Sequence, residues 1–212
     1  MLPMLDLVLP LECGGCGAPA TRWCDACAAE LTVRPDEPLI VSPRQDPGVP
    51  VFSLGCYAGA RRRAIVALKE HGRTDLLTPL SDAVATALRT LLAWGLIVTP
   101  ATVVPAPTRA LAARRRGGDP VTRIARAATT GIDGLGVTSA LAMRAFTRDS
   151  VGLSSAQRQR NIAGRVRRRA PTAGELVVFD DIVTTGATAA ESVRVLQTSG
   201  ARVAGVLVLA HA

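Results

Sequence analysis

Leu176-Val-Val-Phe-Asp-Asp-Ile-Val-Thr-Thr-Gly-Ala-Thr188 decides the fold of this chain: an apolar strand, two carboxylates at its end, a Thr-Thr-Gly turn and the start of a helix. Free backbone N–H groups at a helix N-terminus, backed by the helix dipole, bind a phosphate at little hydration cost. Gly186 lets the backbone approach closely, and the hydroxyls of Thr184, Thr185 and Thr188 add donors. Asp180 and Asp181 stand one short loop away, within reach of the vicinal hydroxyls of a ribose. The segment therefore reads as a site for a ribose 5-phosphate. The same residues also fit a plain strand-to-helix turn with acidic caps. Against that, two adjacent carboxylates repel each other and call for a ligand or cation to compensate them.

Working outward, short apolar runs alternate with helical patterns. Upstream, Val51 to Tyr57 reads as a strand and Gly59 to His71 as a helix with Ile65 and Leu68 on one face. Thr78 to Trp94 reads as a stronger helix, because Leu80, Val84, Ala87, Leu88 and Leu91 recur at helical spacing before Gly95. Thr102 to Pro105, Val137 to Met143 and Leu176 to Phe179 are expected as strands, with Val121 to Thr130 a helix. Downstream, Thr188 to Ser199 is expected as a helix and Ala201 to Ala210 as a strand. Apolar runs of this kind between helices indicate parallel strands buried on both faces. The expected class is α/β, an open parallel sheet flanked by helices, with ligands at the carboxyl ends of the strands. Residues before Pro50, rich in Pro and Asp, read as turns. They divide the chain into a small segment, 1–48, and a main domain, 49–212.

The chain is 48% hydrophobic but only 3% aromatic, so its core is expected from Ala, Val, Leu and Ile. So few aromatics also argue against a stacking platform for single-stranded nucleic acid. The formal charge of +8 favours anionic partners. The runs Arg61 to Arg63, Arg114 to Arg116 and Arg167 to Arg169 suffice for nonspecific phosphate contacts with nucleic acid. Of the 25 basic residues, however, only Lys69 is a lysine. A chain that writes Arg wherever a positive charge will do singles that residue out. Two readings fit it equally: a charge aimed at a ligand, or a solvated helix end favoured by the dipole.

The longest uncharged stretch, Thr90 to Thr108, is broken by Pro100, Pro105 and Pro107. Met1 to Leu11 lacks a basic flank and a small-residue cleavage site. Neither reads as a membrane span or a signal peptide, and a soluble, cytoplasmic protein is expected. Cys13-Gly-Gly-Cys16 and Cys24-Asp-Ala-Cys27 form two C-x-x-C pairs, the spacing of a closed and hence structural four-thiolate zinc site. A disulfide pair, or ligands that have lost their metal, are the alternatives. Cys56 is expected as a small buried hydrophobe, and His71 and His211 have no partner legible in the sequence.

The pattern from Leu176 to Thr188 resembles the 5-phosphoribosyl pyrophosphate (PRPP) loop of type I phosphoribosyltransferases. With the cysteine pairs in front, essentially the whole chain is similar to the ComF family, phosphoribosyltransferase-like proteins associated with competence for DNA uptake in bacteria. The likeness is also carried by Ala67-Leu-Lys-Glu-His-Gly72, Val104-Pro-Ala-Pro107, Arg116-Gly-Gly-Asp-Pro120, Gly152-Leu-Ser and Arg158-Gln-Arg-Asn161. The chain departs from that pattern at Gly118-Asp119-Pro120, where the family has an aromatic residue and Asn-Gln, and at Ser150, where it has Gln.

The resemblance implies that Asp180 and Asp181 hold the ribose hydroxyls, while Val183, Thr184, Thr185, Gly186, Ala187 and Thr188 hold the 5-phosphate. It places Lys69 as the catalytic cation and Pro107, Thr108 and Arg109 on the pyrophosphate, bridged by Mg²⁺. It implies a structural zinc on Cys13, Cys16, Cys24 and Cys27. The implied activity is transfer of the phosphoribosyl group to a nitrogen nucleophile. The alternative is a non-catalytic PRPP-sensing or DNA-uptake accessory protein. A homodimer is the common form in the fold group.

Overall fold

The computed structural model describes residues 11–108, 119–144 and 164–212. Its elements run α1 (Asp25–Leu31), β1 (Leu39–Val41), β2 (Val51–Ser53), α2 (Gly59–Glu70), a 3₁₀ turn (Thr74–Leu76), α3 (Leu77–Ala93) and β3 (Ala101–Pro105). They continue with α4 (Pro120–Thr129), β4 (Leu135–Val137), β5 (Leu141–Met143), β6 (Val166–Arg168), β7 (Glu175–Val183), α5 (Ala187–Gln197) and β8 (Val203–His211). Six strands form one sheet in the order β1-β2-β8-β7-β3-β4, parallel throughout except for the antiparallel edge strand β1. The expected α/β class, a largely parallel sheet flanked by helices with a cysteine cluster in front, is what is found.

Two apolar layers hold the sheet between them. On one face α2, α3 and α4 bury Ile65, Leu80, Leu88 and Ile124 against Phe179 and Leu207. On the other, α5 buries Val193 and Leu196 against Val178 and Val206. The α3 stripe of Leu80, Val84, Leu88 and Leu91 is no more than 1% exposed, and each such side chain contributes about 2 kcal/mol by leaving water. Among the described residues only Thr74–Ala93 is long and apolar enough to cross a membrane, and half of its most apolar window is buried inside the fold. Asp119 caps α4 by accepting from the backbone N–H of Thr122 at 3.2 Å, and Pro120 opens the helix. Asp119-Pro120 is thus a helix start.

Several expected boundaries shift. β7 runs to Val183 rather than stopping at Phe179, so Asp180 and Asp181 are strand residues. The segment expected to hold only turns before Pro50 contains α1 and the edge strand β1. Val137 to Met143 is not one strand. Thr138 donates to the Val103 carbonyl at 3.1 Å, Ala140 turns back to the Thr138 carbonyl at 2.8 Å, and Leu141–Met143 then pairs with β6 in a separate two-stranded sheet. The strand expected from Val51 to Tyr57 ends at Ser53, where the Ser53 side chain bonds to both backbone groups of Gly55.

Candidate functional site

After β3 the chain passes through α4 to β4 on one side, and after β7 it passes through α5 to β8 on the other. The two crossover helices lie on opposite faces of the sheet. The carboxyl ends of β3 and β7 therefore flank a crevice at the point where strand order reverses, the usual ligand position in open α/β sheets. Pro105 is in register with Phe179, and the Ala106 N–H donates to the Phe179 carbonyl at 2.7 Å. This sets Pro107 and Thr108, both part-exposed, beside Asp180 and Asp181. Arg109, the third residue expected to face pyrophosphate, lies outside the described residues, as do Arg114 to Arg116, Gly118, Ser150, Gly152 to Ser154 and Arg158 to Asn161.

Because both acids lie inside β7, their side chains leave opposite faces of the strand. Asp181, on the α2 side, forms an ion pair through Oδ2 with Lys69 Nζ, the two side chains being 10% and 24% exposed. That oxygen has no hydrogen-bond partner among the described residues, so the ion pair is what compensates it. The two residues singled out separately in the sequence thus meet at the site. Asp180 turns back and accepts the Asp181 backbone N–H on Oδ1 at 2.9 Å. Burial pushes its carboxyl well above the usual carboxylate range, and the adjacent Asp181 charge pushes the same way.

A raised carboxylate pKa costs stability above the folded-state value. The cost disappears as pH falls to the unfolded-state value of about 3.9. Asp180→Asn is accordingly expected to raise the melting temperature at neutral pH and to leave it nearly unchanged at a pH of about 4. Thermal melts at the two pH values check this, and an equal shift at both would contradict it.

The turn between β7 and α5 is built by Gly186, whose φ of +84° favours a residue without a side chain. The turn is braced from outside by the segment Pro43-Arg44-Gln45. The Gln45 N–H donates to the Thr185 carbonyl at 2.8 Å, and a Cβ on Gly186 would stand 2.4 Å from the Gln45 carbonyl oxygen. Gly186 is the N-cap of α5 and brings no side chain, so the first N–H, that of Ala187, meets only Thr185 Oγ1 at 3.5 Å. The first turn thus retains backbone donors for an anion. Val183 is buried in the sheet and lines the site only through its backbone, while Thr184 is exposed and Thr188 part-exposed.

No protein-family model matches this chain, and no curated protein does. What the site can do is therefore read from its own groups.

The second candidate centre is the cysteine cluster. The thiol sulfurs of Cys13, Cys16, Cys24 and Cys27 all lie within 4.8 Å of one another and can hold a metal ion such as zinc. Backbone N–H groups of Gly15 and Cys24 each donate to Cys13 Sγ at 3.4 Å. Burial opposes ionisation of Cys13, but the backbone donors outweigh it and lower its thiol to about 6, whereas burial pushes the Cys27 thiol up. The cluster is fastened to the sheet domain. Arg63 Nε donates to the Gly15 carbonyl, Arg73 donates to the Glu12 carbonyl at 3.0 Å, and Glu30 of α1 accepts the Ala60 N–H at the start of α2 at 2.7 Å.

Two sequence expectations about single residues are corrected here. Cys56 is exposed rather than buried, because β2 ends before reaching it. His211 has partners after all, Ser53 and Cys56. The first arginine run is also not uniformly solvated: Arg61 is 8% exposed, Arg63 binds the cysteine segment, and exposed Arg62 lies over the Tyr57 ring, 5.8 Å from its centroid.

Proposed function

We propose that this chain binds PRPP as its Mg²⁺ complex in the crevice between the ends of β3 and β7, in the manner of the ComF and type I phosphoribosyltransferase sequences it resembles. The observation that carries the proposal is the position of the Asp180–Thr188 unit: it sits where strand order reverses, with an anion-receptive turn and two consecutive acids near the end of β7, one on each face of the strand. The turn at Thr184, Thr185 and Gly186 and the first N–H groups of α5 take the 5-phosphate. Asp180 and Asp181 accept the ribose hydroxyls. A ligand hydroxyl donating to Asp180 compensates the burial that disfavours its charge.

Lys69 is the cation for the pyrophosphate, together with the Pro107–Thr108 loop. In transfer, the bond from C1 to pyrophosphate breaks as a nitrogen nucleophile approaches. The ring passes through an oxocarbenium-like state, and negative charge grows on the leaving group. Lys69 meets that charge by shifting from Asp181 toward the pyrophosphate, while Mg²⁺ supplies further charge neutralisation when bound. The ComF resemblance extends the proposal to a role in DNA uptake. Exposed Arg62, Arg167 and Arg169 would supply nonspecific contact with nucleic acid.

A pyrophosphate-release screen over nucleobases and small amines tests the activity, with the Asp180→Asn/Asp181→Asn double variant as blank. Release above the blank for at least one acceptor supports transfer. A signal equal to the blank for every acceptor, with PRPP still bound, assigns the chain to sensing instead.

We further assign a structural zinc to the four cysteines, since a closed four-thiolate set leaves no open position for catalysis. About one zinc per chain is expected in protein purified without chelators. Its removal should lower the melting temperature, because the cluster is bonded to α2 and the 3₁₀ turn. Four freely titratable thiols with no zinc would contradict this assignment.

A further inference from the structure

Three side chains meet at the end of β8, apart from the acids of the crevice. His211 closes that strand, Ser53 closes β2, and Cys56 lies just beyond Ser53, bridged in parallel to His211. Ser53 is fully buried, whereas Cys56 is exposed. His211 Nδ1 lies 2.9 Å from Ser53 Oγ, and its Nε2 lies 3.5 Å from Cys56 Sγ.

One proton placement satisfies these contacts together. The Ser53 hydroxyl accepts the Gly55 N–H at 3.2 Å and lies 3.1 Å from the Gly55 carbonyl, which also accepts the His211 backbone N–H at 3.0 Å. With the Ser53 proton directed to that carbonyl, the 2.9 Å contact to His211 is filled by the ring's own Nδ1–H, and Nε2 is the acceptor for the Cys56 S–H. Nucleophile, base and a third group orienting the base stand in the order that activates a thiol.

A second observation comes from α2. Arg61 is only 8% exposed, and its guanidinium packs so closely on Gly55 that a Cβ there would collide with it. Its Nε has no hydrogen-bond partner among the described residues. Burial lowers its pKa, while the charges of Glu37, Glu30 and Cys56 act to raise it. A buried cation thus stands against the residue next to Cys56.

We propose that Cys56 is a nucleophilic thiol, with His211 as its base, that forms a mixed disulfide with low-molecular-weight disulfides of the oxidised-glutathione class. The Cys56 proton passes to His211 Nε2, and the sulfur attacks one sulfur of the disulfide. The old S–S bond breaks as the new one forms. The departing thiolate then takes the proton from the imidazolium, so atoms and electrons balance with the disulfide as sole oxidant. His211 is in register with Val183, so the adduct stands at the same edge of the sheet as the turn after β7. The proposal does not depend on PRPP binding.

The test uses the full chain loaded with zinc and incubated with oxidised glutathione near neutral pH, followed by intact mass and peptide mapping. One glutathionyl group is expected on Cys56 before any appears on the other four cysteines, and none at that position in Cys56→Ser. His211→Ala should slow the reaction by roughly tenfold, because an unaided thiol is already a few per cent thiolate near neutral pH and full ionisation gains no more than about thirtyfold. His211→Asn, which keeps a donor for Ser53 but supplies no base, should slow it equally and guards against a loss caused by misfolding. Modification of the N-terminal cysteines first, or a Cys56 rate unchanged in a folded His211 variant, would overturn the proposal.

Discussion

Gly186→Ala is expected to lower the melting temperature by about 10 °C and to abolish binding of a ribose phosphate. The backbone at Gly186 is left-handed, φ +84°, which costs an L-residue about 1–2 kcal/mol. The new Cβ would stand 2.4 Å from the Gln45 carbonyl oxygen and 2.8 Å from Pro43 Cβ, so the segment 43–45 must move as well. Overpacking of that kind costs a further ~1–3 kcal/mol, giving roughly 3 kcal/mol in all. The bond from the Gln45 N–H to the Thr185 carbonyl should open with it, visible as faster exchange of the Gln45 amide. A folded variant with unchanged stability and unchanged Gln45 exchange would contradict this account of the turn.

Lys69→Ala is expected to reduce pyrophosphate release by about a hundredfold or more while weakening PRPP binding by less than about tenfold. The reason is that charge on the leaving group is greatest in the transition state, where the ammonium matters most. The variant should also lose stability, because Asp181 Oδ2 is left without a compensating group beside a second carboxylate. Removing one partner of a fully buried pair costs about 3–5 kcal/mol. With Lys69 about a quarter exposed, solvent screening brings the expectation down to roughly 1–2 kcal/mol. Adding Asp181→Asn should restore most of that loss, since it removes the stranded charge, but it should not restore release. Stability unchanged in the single variant would show that the ion pair contributes nothing. Equal losses of binding and of release would show that Lys69 acts on the ground state.

Much of the fold was legible because its signals are local. The apolar run before Asp180, the Thr-Thr-Gly turn and the periodicity of Leu80, Val84, Leu88 and Leu91 each report on a single element, and the four cysteines announce their cluster by spacing alone. What could not be read depends on contacts between distant residues. β1 is three residues long and exists because Leu39–Val41 finds an open edge on β2. β7 extends past Phe179 because β8 pairs with it as far as His211, and this places Asp180 and Asp181 on opposite faces. The break inside Val137 to Met143 is set by Val103 on one side and Arg165–Arg168 on the other. Lys69 was marked by composition, but it lies on α2 and its partner Asp181 on β7, far away in sequence. Cys56, Ser53 and His211 carry no motif; sequence separations of 155 and 158 residues hid their meeting.

Calorimetric titration of PRPP with Mg²⁺ into the zinc-loaded chain, beside the Asp180→Asn/Asp181→Asn double variant, tests the central claim most directly. The crevice reading predicts saturable binding at about one site per chain, with affinity lost in a double variant that remains folded and is no less stable than the parent. Absence of binding by the parent chain, or equal affinity in the folded double variant, would contradict it.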